Sequence, residues 1–351
     1  MSRSNPSTSR TWRWAVALTV LFTLVLCLVA FRWRDTGFQW TAFTATFLRL
    51  RWQWVALACV LGLATYVGRA LRWGVMLKPM APQARLWNLI QATAIGFTAV
   101  VLLGRPGELV RPYLIATKEK VSLSSQMATW VLERILDLLT VLLVFGLALT
   151  QVQVQEVGPR LGWVLQVGGQ VVAVSCTICV IVIFIFRRHS DAIRRRLLEG
   201  LAFLSAPRQE KADRLITAFL DGLRATRGDA SLLLLFAYSA LEWVLIAACY
   251  VCLFRAFPET AGLGWNDALV FMGFVSFGSI VQIPGIGGGM QIVTVVVLTE
   301  LFHLPLELAT SMALLTWIIT FVVIIPPGVL LALHEGFSWK RLRRLESEVE
   351  L

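Results

Sequence analysis

Residues 104–112 read GRPGELVRP, and this polar stretch lies in one of the most apolar parts of the chain. The preceding residues 89–103, LIQATAIGFTAVVLL, carry no charge, and another apolar run follows soon afterwards. Proline removes a backbone donor, and glycine adopts conformations that other residues avoid, so the stretch interrupts a helix that enters it. The sequence therefore predicts two short apolar halves joined by a polar break.

The composition indicates that the solvent of this chain is a lipid bilayer. The 351 residues are 57% hydrophobic and 15% charged, whereas soluble domains carry about 25% charged residues. Several apolar runs reach the roughly 20 residues that a helix needs to cross the hydrocarbon core. The net charge of +11 does not indicate nucleic-acid binding, because the basic residues cluster beside these runs. We therefore expect an all-α polytopic membrane protein.

Six runs are predicted to span the membrane. They are residues 12–31, 52–73, 126–150, 161–186, 231–254 and 306–333. The first has a basic start and no clear small-residue cleavage site, which favours a retained signal anchor over a cleaved signal peptide. Residues 32–51 are too short and too charged at both ends to span, and they predict an interfacial helix on the outer face. Residues 1–51 thus form an N-terminal unit.

Two other apolar regions, residues 89–115 and 267–303, are each broken in the middle. The breaks read GRPGE and QIPGIGGGMQ, and each half has only about 15 apolar residues, which is short for a crossing. Irregular backbone at membrane depth is tolerated where protein or water satisfies it. We predict two re-entrant hairpins, each entering and leaving on one side of the membrane.

The two hairpins resemble each other and predict an internal repeat. Each contains Gly-Phe, then an apolar run, then Pro-Gly in the break, and each is followed by a long span. Three predicted spans separate the hairpins, so the repeats, at about 89–150 and 267–333, have opposite orientations. Inverted repeats with broken helices are typical of secondary transporters.

The distribution of lysine and arginine predicts that both termini are cytoplasmic. In this orientation the cytoplasmic side receives the basic residues Arg69, Arg72, Lys78 and Arg85, the basic loop 187–230 and the tail 337–351. The loop contains two stretches with basic and apolar residues at helical spacing. They are interpreted either as solvated surface helices or as helices that contact anionic lipid headgroups.

The break at 104–112 contains the first candidate site residues, Arg105, Glu108 and Arg111. Their spacing by three places neighbouring members on one face if the stretch is helical. One interpretation is a solvated cytoplasmic turn with a salt-bridged cap. The other is a hairpin tip that lines a polar cavity, with arginine facing an anionic group.

A second group of charges lies within the predicted span 126–150. Glu133, Arg134 and Asp137 would each cost about 2.5–3.5 kcal/mol at the bilayer centre, so they should face the protein interior and pair. They either form an ion pair that clamps helices together or support the arginines of the break around a headgroup. Glu242 is another acid within a span, expected to meet Arg134 or Arg111 or to carry a proton.

The second break supplies the remaining candidates. They are Gln282, Pro284, Gly285, Gly287, Gly288 and Gln291. Its glycines allow the backbone to approach a ligand closely, or they serve tight helix packing. No nucleotide-binding loop motif is present. Of the six cysteines, four form two C-x-x-C pairs inside apolar runs, where they are expected to pack as small apolar residues and not to bind metal.

Three motifs carry a resemblance to a known family. LLGRPGELVRPYLI, SSQMATWVLERILD and QIPGIGGGMQ resemble the transmembrane region of lysylphosphatidylglycerol synthases, which includes stand-alone, flippase-like members. The resemblance covers about residues 52–333 and defines a transmembrane domain at 52–336. The family's second motif resembles P-G-G-x-G followed three residues later by glutamate. This chain has Ile286 and Gln291 at those positions.

The resemblance implies a protein of the bacterial cytoplasmic membrane that moves lipids between leaflets. We expect the substrate to be a lipid with an anionic or phosphate-bearing headgroup or a lipid-linked molecule, with hopanoid and polyprenyl-linked lipids both open. No aminoacyltransferase domain follows in the sequence, so we expect neither an enzyme nor a cofactor. The alternatives are a lipid-modifying enzyme that uses Glu108 or Asp137 as acid or base, and a structural partner that acts through loop 187–230.

Overall fold

A computed structural model describes residues 38–151, 159–188, 229–280, 282–283, 285 and 287–335. The predicted signal anchor at 12–31, nearly all of loop 187–230, the tail 337–351 and Pro284 lie outside the described residues. Within them, the prediction of an all-α multi-pass membrane protein is confirmed. Four helical stretches are long and apolar enough to cross a membrane, namely Trp52–Leu77, Leu86–Leu103, Leu233–Ala256 and Leu306–His334.

The helices follow one another with short connections. They are α1 (Trp40–Leu48), α2 (Trp52–Leu77), α3 (Leu86–Leu103), α4 (Val110–Glu119), α5 (Leu123–Leu149), α6 (Pro159–Arg188), α7 (Asp229–Ala256), α8 (Trp265–Gly278), α9 (Gly289–Val296), α10 (Leu306–Thr320) and α11 (Ile325–His334). The described backbone also contains 3₁₀ turns at Arg105–Leu109, Pro258–Thr260 and Val322–Ile324, a π turn at Val297–Leu301, and the strands β1 (Gln282–Ile283) and β2 (Gly287–Gly288).

The first break has the helix–turn–helix form that its prolines and glycines predict. Helix α3 ends at Gly104, whose φ of 73° is readily adopted by glycine. A 3₁₀ turn follows, and α4 begins at Val110. A Cβ on Gly107 would lie 2.3 Å from the carbonyl oxygen of Ala99, so the turn packs directly on the end of α3. Helix α3 has 18 residues, which makes it longer than the predicted half-crossing because it begins at Leu86.

The second break is a tight antiparallel turn. Strand β1 pairs with β2 in the register Gln282↔Gly288 and Ile283↔Gly287. Gly285 and Gly288 have φ of 74° and 115°, a region in which side chains are strained. The glycines are therefore needed to reverse the chain between α8 and α9.

The predicted span 306–333 is interrupted near its middle. Helix α10 ends at Thr320, a 3₁₀ turn occupies Val322–Ile324, and α11 starts with two prolines, Pro326 and Pro327, in its first turn. Proline lacks a backbone donor and its ring clashes with the preceding turn, so an uninterrupted helix cannot form here. The break places Phe321 beside a cavity that is described below.

The helices pack into one bundle around α2. Helix α2 runs along α7, α5 packs on α6, and α3 lies between α2, α4 and α11. The two breaks are in contact, because the backbone N–H of Gly285 donates to the carbonyl oxygen of Val101 over 2.9 Å. The Arg105 guanidinium also donates to the carbonyl oxygen of Ile280. These contacts join the tips of the two broken segments at one end of a chamber.

Candidate functional site

A chamber of about 360 Å³ lies between α2, α3, α5, α7, α8 and α10. Its charged lining consists of Arg69, Arg105, Glu108, Arg111, Arg134 and Asp137. Its apolar lining includes Leu138, Val141, Ile246, Met290, Ile319 and Phe321. The chamber is therefore amphiphilic, with guanidinium groups and hydrocarbon surfaces in the same space.

Arg72 on α2 organises the charges behind the chamber wall and has no solvent exposure. Its Nη1 lies 2.5 Å from Oδ1 of Asp137 and 3.3 Å from Oε2 of Glu242, and its Nη2 lies 2.7 Å from Oε1 of Glu133. Nη1 also donates to Oγ of Ser239 over 3.0 Å. Because bidentate contacts of this kind are strong and directional, Arg72 fixes α2 against α5 and α7.

Arg69 lies one turn before Arg72 and faces the chamber. Its Nη2 is 2.5 Å from Oε1 of Glu242, and its Nη1 is 3.9 Å from Oδ2 of Asp137. The guanidinium carbon lies 4.9 Å from the centre of the Phe97 ring, which is a cation–π distance. Glu242 therefore pairs with the arginines of α2 and not with Arg134 or Arg111, as the sequence analysis expected.

Arg111 enters the same network from α4. Its Nη1 lies 2.9 Å from Oε2 of Glu133, and its Nη2 donates to the carbonyl oxygen of Arg69 over 3.0 Å. The guanidinium stacks 4.2 Å from the centre of the Trp73 ring. A Cβ on Gly96 would lie 2.6 Å from Cβ of Arg111, so glycine on α3 permits the approach that brings Arg111 into place.

The local pair predicted within α5 is confirmed. Nη2 of Arg134 lies 3.4 Å from Oδ2 of Asp137 and 3.4 Å from Oε2 of Glu133. The Arg134 side chain is 39% exposed, while Glu133 is fully buried. Arg134 thus faces the chamber while its acidic neighbours point back toward Arg72.

The residues of the first break divide into two groups. Arg105 and Glu108 pair across the 3₁₀ turn at 3.0 Å, as their spacing predicts. Arg111 does not share their surface, because the chain changes from 3₁₀ to α-helix between them and turns its side chain into the protein. The prediction of one common face is correct for the pair and wrong for Arg111.

The second break contributes mainly backbone. Oε1 of Gln291 accepts from the N–H of Gly288 over 2.7 Å and so caps the start of α9. Gly285 contacts the first break through its own N–H. Of the part of this break that the structure describes, Met290 lines the chamber, whereas Gly285, Gly287, Gly288 and Gln291 do not. For Gln282 only the backbone is described, in β1.

The sequence analysis missed Arg69 and Arg72 as site residues. It assigned both to a cytoplasmic basic flank, but they lie in α2, Arg72 without exposure and Arg69 with a side chain 14% exposed. The available signal was a charge imbalance, because the predicted spans held the acids Glu133, Asp137 and Glu242 but only one assigned arginine. Buried acids need cationic partners, and the arginines at the end of the second span were the nearest to supply them.

Comparison with protein families adds one finding. Residues 14–328 match the family described as the lysylphosphatidylglycerol synthase TM region. The chain belongs to this family. A comparison with curated proteins gives no significant match. As a member of the lysylphosphatidylglycerol synthase TM-region family, the chain is a membrane protein linked to lipid metabolism, and the amphiphilic chamber is its candidate lipid site.

Proposed function

We propose that the protein translocates a lipid with an anionic or phosphate-bearing headgroup, or a lipid-linked molecule, between the leaflets of the bacterial cytoplasmic membrane. The observation that carries the proposal is the chamber at the meeting point of the two broken segments. One part of its wall presents Arg69, Arg105 and Arg134, and another presents only apolar side chains. A lipid has the same division between a polar headgroup and hydrocarbon chains.

The arginines are held in place before a headgroup arrives. Glu133, Asp137 and Glu242 contact Arg69, Arg72, Arg111 and Arg134 from behind the wall in the network described above. Guanidinium groups bind phosphate through directional, charge-assisted hydrogen bonds. Because the carboxylates already fix the arginines, little conformational freedom is lost when the headgroup binds.

The two breaks supply the proposed gate. Helix α4 has 10 residues, α8 has 14 and α9 has 8, so these arms are too short to cross a bilayer. We assign α3–α4 and α8–α9 to re-entrant hairpins that enter from opposite faces as parts of an inverted repeat, with both termini of the chain in the cytoplasm. Separation of the touching tips on one side or the other would open the chamber alternately, as in transporters built from inverted repeats.

The enzymatic alternative has less support. Glu108 is ion-paired with Arg105, and Asp137 is ion-paired with Arg72 and Arg134. Both candidate acid–base groups are therefore engaged in positioning arginines. An arginine-paired carboxylate is stabilised as the anion and is a poor proton donor.

Transport is tested in proteoliposomes that contain nitrobenzoxadiazole-labelled phosphatidylglycerol. Dithionite added outside bleaches only the outer leaflet, so continued bleaching measures translocation. We expect the wild-type protein to expose the inner pool, and Arg105→Ala or Glu108→Ala to slow this at least about tenfold. Arg85→Ala, which removes an exposed arginine outside the chamber, serves as the matched control. Bleaching equal to that of protein-free vesicles, or equal rates for all variants, would contradict the proposal.

The hairpin topology is tested by cysteine labelling in a variant without native cysteines. Arg85→Cys and Ser124→Cys flank the first broken segment, and Gly262→Cys and Pro305→Cys flank the second. We expect an impermeant maleimide to reach the first two from one side and the last two from the other. Labelling of Arg85→Cys and Ser124→Cys from opposite sides would show that the first segment crosses the membrane.

A further inference from the structure

The chamber wall has unused hydrogen-bond donors and no unused acceptor among the described side chains. The buried atoms without a hydrogen-bond partner on lining residues are Nη1 of Arg69, Nε of Arg111, Nε of Arg134 and Nε1 of Trp243. Nη1 of Arg69 is 3.9 Å from Asp137, too far for a hydrogen bond. Buried polar groups are normally satisfied, so donors alone on a cavity wall indicate a ligand that offers acceptors.

The charges of the same wall specify how many negative charges that ligand carries. Among the described residues, the network contains the guanidinium groups of Arg69, Arg72, Arg111 and Arg134 and the carboxylates of Glu133, Asp137 and Glu242. With each carboxylate ionised, one positive charge has no counterpart. Arg105 and Glu108 neutralise each other at the tip. One ligand charge would make the buried site neutral.

The geometry points to a single phosphodiester group, of charge −1, as the ligand of this chamber, with the indole N–H of Trp243 as one of its donors. This inference rests on the proposed function and names the substrate class of the same site. A phosphodiester offers acceptors only and neutralises the excess guanidinium. A phosphomonoester dianion would leave one buried negative charge uncompensated, and diacylglycerol would leave the positive charge uncompensated.

Trp243 is the most specific element of the inference. It lies on α7, is 9% exposed and lines the chamber. A buried tryptophan normally directs its N–H to an acceptor, and no described protein atom accepts from this one. Glu242, the preceding residue, is tied to Arg69 and Arg72, so this part of α7 is fixed against the arginine network.

The test is calorimetric titration of the full-length protein in detergent at pH 8. The probes are dihexanoyl-phosphatidylglycerol, dihexanoyl-phosphatidic acid, dihexanoylglycerol and chain-free glycerophosphoglycerol. We expect the phosphatidylglycerol to bind at least about tenfold more tightly than phosphatidic acid or dihexanoylglycerol. Trp243→Phe keeps the ring, removes the donor, and should weaken phosphatidylglycerol about tenfold without changing dihexanoylglycerol. Trp163→Phe, at an exposed position on α6 outside the chamber, should change neither.

The outcomes separate this inference from lipid translocation. Phosphatidic acid or dihexanoylglycerol binding as tightly as phosphatidylglycerol, or an unchanged affinity in Trp243→Phe, would overturn the inference while leaving transport in proteoliposomes intact. Glycerophosphoglycerol binding as tightly as the lipid would support the phosphodiester site and count against a lipid as its source. Selective phosphodiester binding without transport would likewise support the inference and contradict the proposed function.

Discussion

Nη1 of Arg72 lies 2.5 Å from Oδ1 of Asp137, and the arginine that makes this contact has no solvent exposure. The same guanidinium reaches Glu133 and Glu242, so a single side chain of α2 holds three acids from two other helices. Charges buried at this depth cost free energy unless they are paired. Arg72 therefore has a structural role distinct from that of the arginines on the chamber wall.

Replacement of Arg72 by methionine should destabilise the protein strongly. The change keeps a long apolar side chain but leaves the carboxylates of Glu133, Asp137 and Glu242 with fewer cationic partners. Removal of one partner from a buried ion pair costs about 3–5 kcal/mol. Thermal unfolding of the purified protein in detergent measures the effect, with Arg85→Met as the exposed control. Equal midpoints for the two variants would show that the acids do not depend on Arg72.

Arg111 and Glu133 should be strongly coupled. Their ion pair is buried, with side-chain exposures of 5% and 0%. In a double-mutant cycle of Arg111→Met and Glu133→Gln we expect a coupling free energy of about 2 kcal/mol. The matched cycle at Arg105 and Glu108, where the arginine is 55% exposed, should give less than about 1 kcal/mol. Equal couplings would contradict the burial difference between the two pairs.

Substitution of Gly96 by alanine should displace α4 from α3. The new Cβ would lie 2.6 Å from Cβ and 3.1 Å from Cα of Arg111, so backbone must move. We expect a loss of about 1–3 kcal/mol in unfolding free energy and slower lipid bleaching, because the contact of Arg111 with Glu133 would lengthen. Gly68→Ala is the control, since a Cβ there meets nothing within 4 Å. A Gly96→Ala variant as stable and active as Gly68→Ala would disprove the close approach.

The conformation of Gly285 gives a further prediction. Its φ is 74°, yet a Cβ there would meet nothing within 4 Å, so the cost of alanine is backbone strain alone. We expect Gly285→Ala to lose about 1–2 kcal/mol. Gly262→Ala, at another position with open space and no positive φ, should be nearly neutral. The comparison of unfolding midpoints would refute the turn geometry if both variants behaved alike.

The sequence predicted the parts of the site that depend on local spacing. Arg105 with Glu108 and Arg134 with Asp137 are each three residues apart, and both pairs form because such neighbours share a helical surface. The prolines and glycines of the two breaks also predicted where helices end. These features follow from residues close together in the chain.

The contacts that the sequence did not predict join distant segments. Arg72 and Glu133 are 61 positions apart, and their pairing depends on how α2 packs against α5. Arg72 also lies near the end of an apolar run, where the positive-inside rule assigns it to a membrane flank. Only the packing of the folded bundle distinguishes a buried arginine from a flanking one at such a position.

The two tips touch through main-chain carbonyl groups, those of Val101 and Ile280. Every amino acid carries a carbonyl group, so the side chains at positions 101 and 280 can change during evolution without loss of the contact. Gly285 and Arg105 have no such freedom, because one supplies an unusual backbone conformation and the other a reaching donor. Among relatives of this protein, variation should therefore concentrate on the accepting half of the contact and be scarce on the donating half.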